Sequence, residues 1–146
     1  HINDLLKSAL HLLQTEYDNQ LEVIERFSDL PPIAAHPGRL SQTFYNILDN
    51  AALAIRDKQE NNGRIRIRTE ASGDSLTIEI QDNGCGIPEA VREQVFDAFY
   101  TDRPVGSGTG LGLTVARDTI RAHGGTIRID SREGQGTRVT ITLPSG

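Results

Sequence analysis

Two neighbouring segments alternate strictly between apolar and polar side chains, and this pattern constrains the fold more than any other feature of the chain. In residues 64–69 isoleucines and a threonine alternate with arginines, and in residues 76–81 leucine and isoleucines alternate with polar side chains. Because successive side chains of a strand point to opposite faces, each segment predicts a strand with one buried and one solvated face. The Ser-Gly-Asp sequence at 72–74 predicts a tight turn that joins them as an antiparallel hairpin. We therefore expect a sheet that is covered on one face only.

Apolar residues at helical spacing predict the layer that covers this sheet. They indicate helices over residues 4–17, 37–58 and 111–123, with Asn3 as the N-cap of the first helix. Further strands are expected over residues 20–27, 126–130 and 138–143. Helices on one face of a mixed, mostly antiparallel sheet give an α/β (α+β) fold of two layers, a sandwich. We predict this fold class for a single domain of residues 1–146.

Composition excludes several classes of protein. The chain has 20 acidic and 15 basic residues and a net charge of -5, which is unfavourable for binding a nucleic-acid backbone. Cys85 is the single cysteine, so the chain contains no internal disulfide. We found no apolar run long enough for a membrane span or signal peptide, which favours a cytoplasmic location without direct membrane contact. Because the chain contains no methionine, we expect it to be a piece of a longer protein, whose other parts would carry any anchor in the inner membrane.

Two asparagines are the first candidate for chemistry. Asn46 and Asn50 are four residues apart in the long predicted helix, so their amides lie on one helix face, beside the core stripe. Amide oxygens in that position can meet a polyanion and its metal ion. The alternative is a pair of solvated or locally bonded asparagines, which is the better interpretation if the pair is considered alone.

A carboxylate at the end of a predicted strand is the second candidate. Asp82 is followed by Gly84 and Gly86. A carboxylate fixed at a strand end can accept a hydrogen bond from an exocyclic amine, and glycines let the backbone approach a flat base closely. The alternative is a simple turn between a strand and a loop.

Glycine-rich sequence provides the third and fourth candidates. Residues 106–112 lead directly into a predicted helix, whose first amide groups have no partner within the helix and can bind phosphate. They overlap the end of a longer segment, residues 83–109. This segment is too long for a plain connector and is typical of a lid or binding loop. The Gly-Gln-Gly-Thr sequence at 134–137 predicts a tight turn that places Thr137 at a strand start. Considered alone, residues 106–112 could be a flexible loop and residues 134–137 an ordinary hairpin.

In this order and at these distances, the four features resemble the N box and the three glycine boxes of the GHKL ATPase superfamily, which has the Bergerat fold. The resemblance extends over residues 40–143, and residues 96–101 resemble the F box in the lid of two-component histidine kinases. It implies that residues 1–146 are the catalytic ATP-binding domain of a bacterial sensor histidine kinase. The dimerisation and phosphoacceptor domain would be absent, and residues 83–109 would form the ATP lid.

The resemblance also implies a role for each matching residue. Asn50 would coordinate Mg²⁺ on the ATP phosphates, with Asn46 as its partner one turn earlier, and Asp82 would bind the adenine amino group. Arg103 would supply a phosphate-facing cation from the lid, because Leu53 stands where many family members have lysine. The other implied ATP-binding residues are Gly84, Gly86, Ile87, Phe99, Gly108, Thr109, Gly110, Leu111, Gly112 and Thr137.

The implied function is transfer of the γ-phosphoryl group of Mg-ATP to a histidine on a separate dimerisation domain. One alternative is an ATP-hydrolysing GHKL domain, but the hydrolases have a glutamate where this chain has Asn46. The other is a nucleotide-sensing or anti-sigma-type regulatory module. None of the four histidines has the context of a phosphoacceptor, and we expect His123 near a helix end, where a cationic ring suits the helix dipole.

The implied partners are the kinase's own dimerisation and phosphoacceptor helices and a downstream response regulator. We expect the domain to be monomeric and the full-length protein to be a homodimer. By itself, the domain should bind ATP without phosphorylating itself.

Overall fold

The computed structural model describes residues 1–17, 21–58, 63–86, 111–132 and 134–145. In these ranges the chain forms three helices and five strands: α1 (Ile2–Glu16), β1 (Glu22–Arg26), α2 (Pro37–Lys58), β2 (Arg64–Ser72), β3 (Ser75–Asp82), α3 (Leu111–Ala122), β4 (Thr126–Arg132) and β5 (Gly136–Pro144). Each helix and strand expected in these ranges is present, with ends that differ by a few residues.

The five strands form one mixed sheet in the order β1-β2-β3-β5-β4. β1 pairs with β2 in parallel, and the remaining pairs are antiparallel. The β2–β3 hairpin closes at Gly73, whose φ of 58° is accessible to glycine at little cost. The predicted mixed, mostly antiparallel sheet is confirmed.

Alternate positions of the strands are buried against the helical layer. The burial of β2 alternates regularly from Arg64 to Thr69, with the arginines exposed and Ile65 and Ile67 fully buried. The exposed arginines lie on the solvated face, where Arg64 pairs with Glu22 at 3.5 Å. The sheet is thus covered on one face, which confirms the two-layer sandwich. None of the helices in the described ranges has the length and apolar character to cross a bilayer.

Asn3 is not the N-cap of α1, so that prediction was wrong. The helix begins at Ile2 with His1 as its N-cap, and Asn3 lies inside the first turn. Its amide nitrogen donates to the Ser28 carbonyl at 2.7 Å, and its amide oxygen accepts from the Thr69 hydroxyl at 3.1 Å. Thr69 is a buried polar side chain on the core face of β2 and therefore needs a partner. This need explains the position of the asparagine better than capping does.

His123 directly follows α3, so the expected position near a helix end is confirmed. The backbone N–H of His36 donates to His123 Nε2 at 3.1 Å, and Nδ1 of the same ring lies 2.8 Å from the Thr119 carbonyl. The histidine joins the end of α3 to the residue that precedes α2.

Candidate functional site

Asp82 ends β3 with its carboxylate inside the protein. The residue is 7% exposed, and its Oδ1 accepts a hydrogen bond from the backbone N–H of Gly84 at 2.8 Å. Burying a carboxylate costs free energy unless it is hydrogen-bonded, and the turn that follows the strand supplies such a bond. The sequence-predicted carboxylate is therefore held in a defined orientation at the strand end.

Two hydroxyl groups continue this polar row across the sheet. Thr137 on β5 is the register partner of Asp82, and Ser131 on β4 is the register partner of Thr137. The two hydroxyl oxygens are 2.9 Å apart, and Ser131 also donates to the Gly136 carbonyl at 3.1 Å. Since Ser131 uses its hydrogen on Gly136, Thr137 donates to Ser131 and its own oxygen still has acceptor capacity.

Ser131 is a residue of this row that sequence reasoning missed. It is 6% exposed and follows Ile127 and Ile129 at every second position of β4. A polar residue that continues an apolar alternation is a signal that could have indicated it.

The loop after β3 packs directly on the backbone of α2. A Cβ added at Gly84 would lie 2.5 Å from the Ala54 carbonyl carbon. The next residue, Cys85, donates its backbone N–H to the Ala54 carbonyl oxygen at 3.1 Å. The close approach that requires Gly84 is therefore to a helix backbone, and the adenine-lining role of Gly84 and Gly86 stays a prediction.

The turn between β4 and β5 is fastened to the same loop. Gly134 donates its N–H to the Cys85 carbonyl, and a Cβ added at Gly136 would lie 2.1 Å from the Asp82 carbonyl oxygen. Gly136 also has a φ of 130°, which L side chains rarely adopt. The second glycine of the Gly-x-Gly-Thr motif is thus required by the fold beside Asp82.

Asn46 and Asn50 are both partly buried on α2. The Asn46 amide oxygen accepts a hydrogen bond from the Gln42 amide at 3.0 Å. Asn50 lies one helical turn before Ala54, where the loop after β3 packs. The structure therefore brings α2 into contact with the loop that follows the end of β3.

The same turn of α2 is bonded to the end of α1 through two tyrosines. Tyr17 donates its hydroxyl to Asp49 Oδ1 at 3.0 Å, and Tyr45 donates its hydroxyl to the Glu16 carboxylate. Burial raises the pKa of Tyr17 to about 12, and the charge of Asp49 adds to this effect. Burial also raises the pKa of Tyr45, assisted by its hydrogen bond to Glu16. Both phenols are therefore protonated donors at neutral pH. Sequence reasoning missed this cluster because no local motif contains it.

Several predicted site residues lie outside the described residues. The structure describes only residues 83–86 of the predicted lid. Leu111 and Gly112 begin α3, but their side chains are likewise outside the description. The predicted site residues that lie entirely outside the described ranges are Ile87, Phe99, Arg103, Gly108, Thr109 and Gly110. Their assigned roles remain predictions.

A polar cleft of about 550 Å³ opens at these strand ends. It is lined by residues of β3, β4 and β5 that include Asp82, Ser131 and Thr137, with Arg132 and Arg138 adding positive charge. Within the described ranges no group of three or more His, Cys, Asp or Glu side chains could hold a metal ion. The residues that line the cleft come from β3, β4, β5 and the turn between β4 and β5, so Asn50 on α2 is not among them. Amide oxygens such as that of Asn50, together with oxygens of a ligand, are a donor set that suits Mg²⁺.

Comparisons with known proteins agree with this geometry. Residues 35–146 match the family model described as "Histidine kinase-, DNA gyrase B-, and HSP90-like ATPase". The signal transduction histidine-protein kinase AtoS of Escherichia coli (strain K12) is 40% identical over an alignment that covers 98% of this chain and 23% of that protein. Sporulation kinase E of Bacillus subtilis (strain 168) is 35% identical over 99% of this chain and 19% of its own length. The chain thus spans about a quarter or less of these relatives.

Solved structures show the same fold. The catalytic domain of the histidine kinase ThkA has a TM-score of 0.82 and 27% identity, covering 98% of this chain and 91% of that one. Full-length ShkA in complex with AMPPNP has a TM-score of 0.80 and 27% identity, covering 99% of this chain and 30% of that one. Both neighbours have the arrangement of helices and mixed sheet described above.

Proposed function

Because the chain belongs to the family of histidine kinase-, DNA gyrase B- and HSP90-like ATPases, we propose that it is the ATP-binding catalytic domain of a two-component sensor histidine kinase. In this role it transfers the γ-phosphoryl group of ATP to a histidine that another segment supplies. The observation that carries the proposal is the buried Asp82 carboxylate, oriented by Gly84 beside the helix of Asn46 and Asn50. The names of the relatives, which are sensor kinases, support the same branch of the family.

Asp82 has the chemistry needed to recognise adenine. The exocyclic amino group of adenine is a donor, and an ionised carboxylate only accepts hydrogen bonds. Thr137, opposite Asp82 on β5, has acceptor capacity left for a bridging water between the aspartate and the base. Gly84 and Gly86 would line the adenine pocket, as the family resemblance implies.

Asn50 is the proposed protein ligand of Mg²⁺. Its amide oxygen is a hard donor, and Mg²⁺ in nucleotide sites uses few protein ligands. The bound ion would neutralise charge on the phosphates. Asn46 would assist one turn earlier, while the glycine loop at 106–112 and Arg103 would hold the remaining phosphate oxygens.

The chemistry of Asn46 favours transfer over hydrolysis. A carboxylate can take a proton from an attacking water, whereas a neutral amide cannot, and such a base contributes about a hundredfold or more to the rate. The Asp49 carboxylate in the same turn accepts the Tyr17 hydroxyl on the α1 side. In the proposed transfer a bond forms between the imidazole nitrogen and the γ-phosphorus, and the bond from that phosphorus to the bridging oxygen of ADP breaks. Catalysis of this kind is mainly positioning and electrostatic stabilisation.

The proposal extends to the partners of the longer protein. They are the dimerisation and phosphoacceptor helices of a homodimeric kinase and a response regulator that receives the phosphoryl group. A cytoplasmic position of the domain, with any anchor in another part of the protein, belongs to the same proposal.

Labelled ATP tests the proposal in one experiment. The domain is incubated with radiolabelled Mg-ATP, first alone and then with a dimeric helical fragment of the same kinase that carries its histidine. We expect almost no phosphate release by the domain alone, and label on the helical fragment when both are present. The matched control is the same fragment with its histidine changed to glutamine, which should stay unlabelled. Rapid phosphate release by the domain alone, with no label on the histidine, would favour a hydrolase instead.

A further inference from the structure

Two crossed hydrogen bonds join the end of α1 to one turn of α2. Tyr17, which follows α1, donates to Asp49 Oδ1 at 3.0 Å, and Tyr45 on α2 donates back to the carboxylate of Glu16. Each helix therefore contributes one donor and one acceptor. Both rings also pack against the hydrophobic core, which restricts their orientation.

This turn is the one that carries the two asparagines of the nucleotide site. Tyr45 and Asp49 directly precede Asn46 and Asn50 in the sequence. Since consecutive helix residues are about 100° apart, the tyrosine contact and the amides occupy adjacent faces of α2. Tyr17 lies outside residues 35–146, the part of the chain that matches the family model. Tyr17 thus lies outside the matched part of the chain but bonds to Asp49, the residue next to the proposed metal ligand Asn50.

The bond to Tyr17 also contributes to the orientation of the Asp49 carboxylate. The carboxylate is directed at the Tyr17 hydroxyl on the α1 side, and the raised pKa of that phenol keeps the donor protonated. A carboxylate released from this bond would be next to Asn50, where it could compete for a cation and repel phosphate oxygens.

We propose that Tyr17 and Tyr45 are positioning residues for Mg-ATP, which hold the turn from Tyr45 to Asn50 and keep the Asp49 carboxylate directed toward α1. This inference rests on the proposed function, because it assumes that Asn50 meets the metal ion. Its consequence is specific: loss of the tyrosine hydroxyls affects the magnesium-dependent part of nucleotide binding and leaves the adenine contact at Asp82 intact.

The test compares the affinity for ATP with and without magnesium, measured by titration calorimetry on this chain. For Tyr17→Phe we expect the ratio of the two affinities to fall by about three- to tenfold, which is less than the roughly 10- to 100-fold effect of groups bonded directly to a metal ligand. The affinity for ATP in excess chelator should stay at the wild-type value. Tyr45→Phe provides a second variant and should change the ratio in the same direction. Asp49→Asn keeps an acceptor for the Tyr17 hydroxyl and should lose less than Tyr17→Phe. Asp49→Ala removes the carboxylate together with the bond, so it should also lose less than Tyr17→Phe.

Thr15→Val is the matched control. It also removes a hydroxyl near the end of α1, but that hydroxyl bonds the His11 carbonyl of its own helix, so the ratio should not change. An unchanged ratio in both tyrosine variants overturns the inference, as does an equal loss with and without magnesium. Wild-type protein and Asp82→Asn are titrated in parallel. If the wild type binds no ATP, the proposed function itself fails, whereas normal wild-type binding with unchanged ratios in the variants refutes only the tyrosine inference.

Discussion

At the scale of single residues, Asp82 shows how the fold prepares a polar group for recognition. Its position continues the core-facing row of β3, where the preceding members are Leu76, Ile78 and Ile80. A carboxylate in such a row is costly unless it is hydrogen-bonded, and the Gly84 N–H provides one bond. Packing alone therefore does not explain a buried carboxylate at this strand end, whereas recognition of a hydrogen-bond donor does.

The first prediction concerns this carboxylate. Asp82→Asn replaces a pure acceptor with an amide, so the bond from the adenine amino group is weakened or lost. Losing a partner for a buried polar group costs about 1 to 3 kcal/mol, so the affinity for ATP and for ADP should fall about tenfold or more. Calorimetry measures both affinities. Glu70→Gln is the control, because Glu70 pairs with Arg68 on the exposed side of β2. Equal affinities of the wild type and Asp82→Asn would contradict the assignment.

At the scale of elements, α2 connects the core with the proposed site because its faces make different contacts. One face packs in the core through Phe44, Leu48 and Ile55. A second face carries the asparagine amides, and a third receives the tyrosine bonds from α1. In addition, the backbone carbonyl of Ala54 accepts a hydrogen bond from the Cys85 N–H in the loop after β3.

The second prediction tests the contact between that loop and α2. The added Cβ of Gly84→Ala would lie 2.5 Å from a backbone carbon of Ala54, so the loop or the helix must move. Overpacking of this kind costs about 1 to 3 kcal/mol, and the melting temperature should fall by several degrees. Thermal denaturation followed by circular dichroism checks this. Gly38→Ala is the control, since a Cβ at Gly38 meets nothing within 4 Å. If the two variants melt at the same temperature, the contact is not tight.

The third prediction concerns the bonds between α1 and α2 at alkaline pH. In the folded protein the pKa of Tyr17 is raised to about 12 and that of Tyr45 is raised as well, while an unfolded tyrosine titrates near 10. Because the folded values are higher, the stabilisation is fully present below pH ~10 and is lost as the pH rises through the folded values. The melting temperature of the wild type should therefore fall more steeply above pH ~10 than that of the Tyr17→Phe/Tyr45→Phe double variant. Parallel curves for the two proteins would show that the phenols do not contribute.

At the scale of the whole molecule, the proposed site draws its residues from separate parts of the chain. The end of β3 contributes the carboxylate, β4 and β5 contribute the hydroxyls, and α2 contributes the amides. A ligand that contacts all of them should stabilise the domain as a unit, because binding to the folded state alone shifts the unfolding equilibrium.

The fourth prediction follows from this coupling. At a Mg-ATP concentration of about one hundred times its Kd, the ligand should stabilise the domain by about 2.7 kcal/mol. For a domain of this size the melting temperature should rise by about 5 to 10 °C. Mg-GTP is the matched ligand, because its base presents an oxygen where adenine presents an amino group, and an oxygen cannot donate to Asp82. Equal shifts with the two nucleotides would contradict adenine recognition by this carboxylate.

Local patterns in the sequence determined the secondary structure, the fold class and the family. The alternation in β2 and β3 and the spacing of apolar residues in α1, α2 and α3 depend only on the helix and strand repeats, so they could be interpreted without tertiary contacts. The short motifs around Asn50, Asp82 and Thr137 were equally local, and the family match agrees with them.

Tertiary structure alone decided which residues support those motifs. Gly84 approaches Ala54, Tyr17 bonds to Asp49, and the His36 N–H donates to the His123 ring. Each contact joins residues that are distant in sequence, and a single sequence contains no local signal for such a pairing. The same reason explains why the local sequence predicts a cap at Asn3: its actual partners, Ser28 and Thr69, are adjacent only after α1 has packed against the sheet.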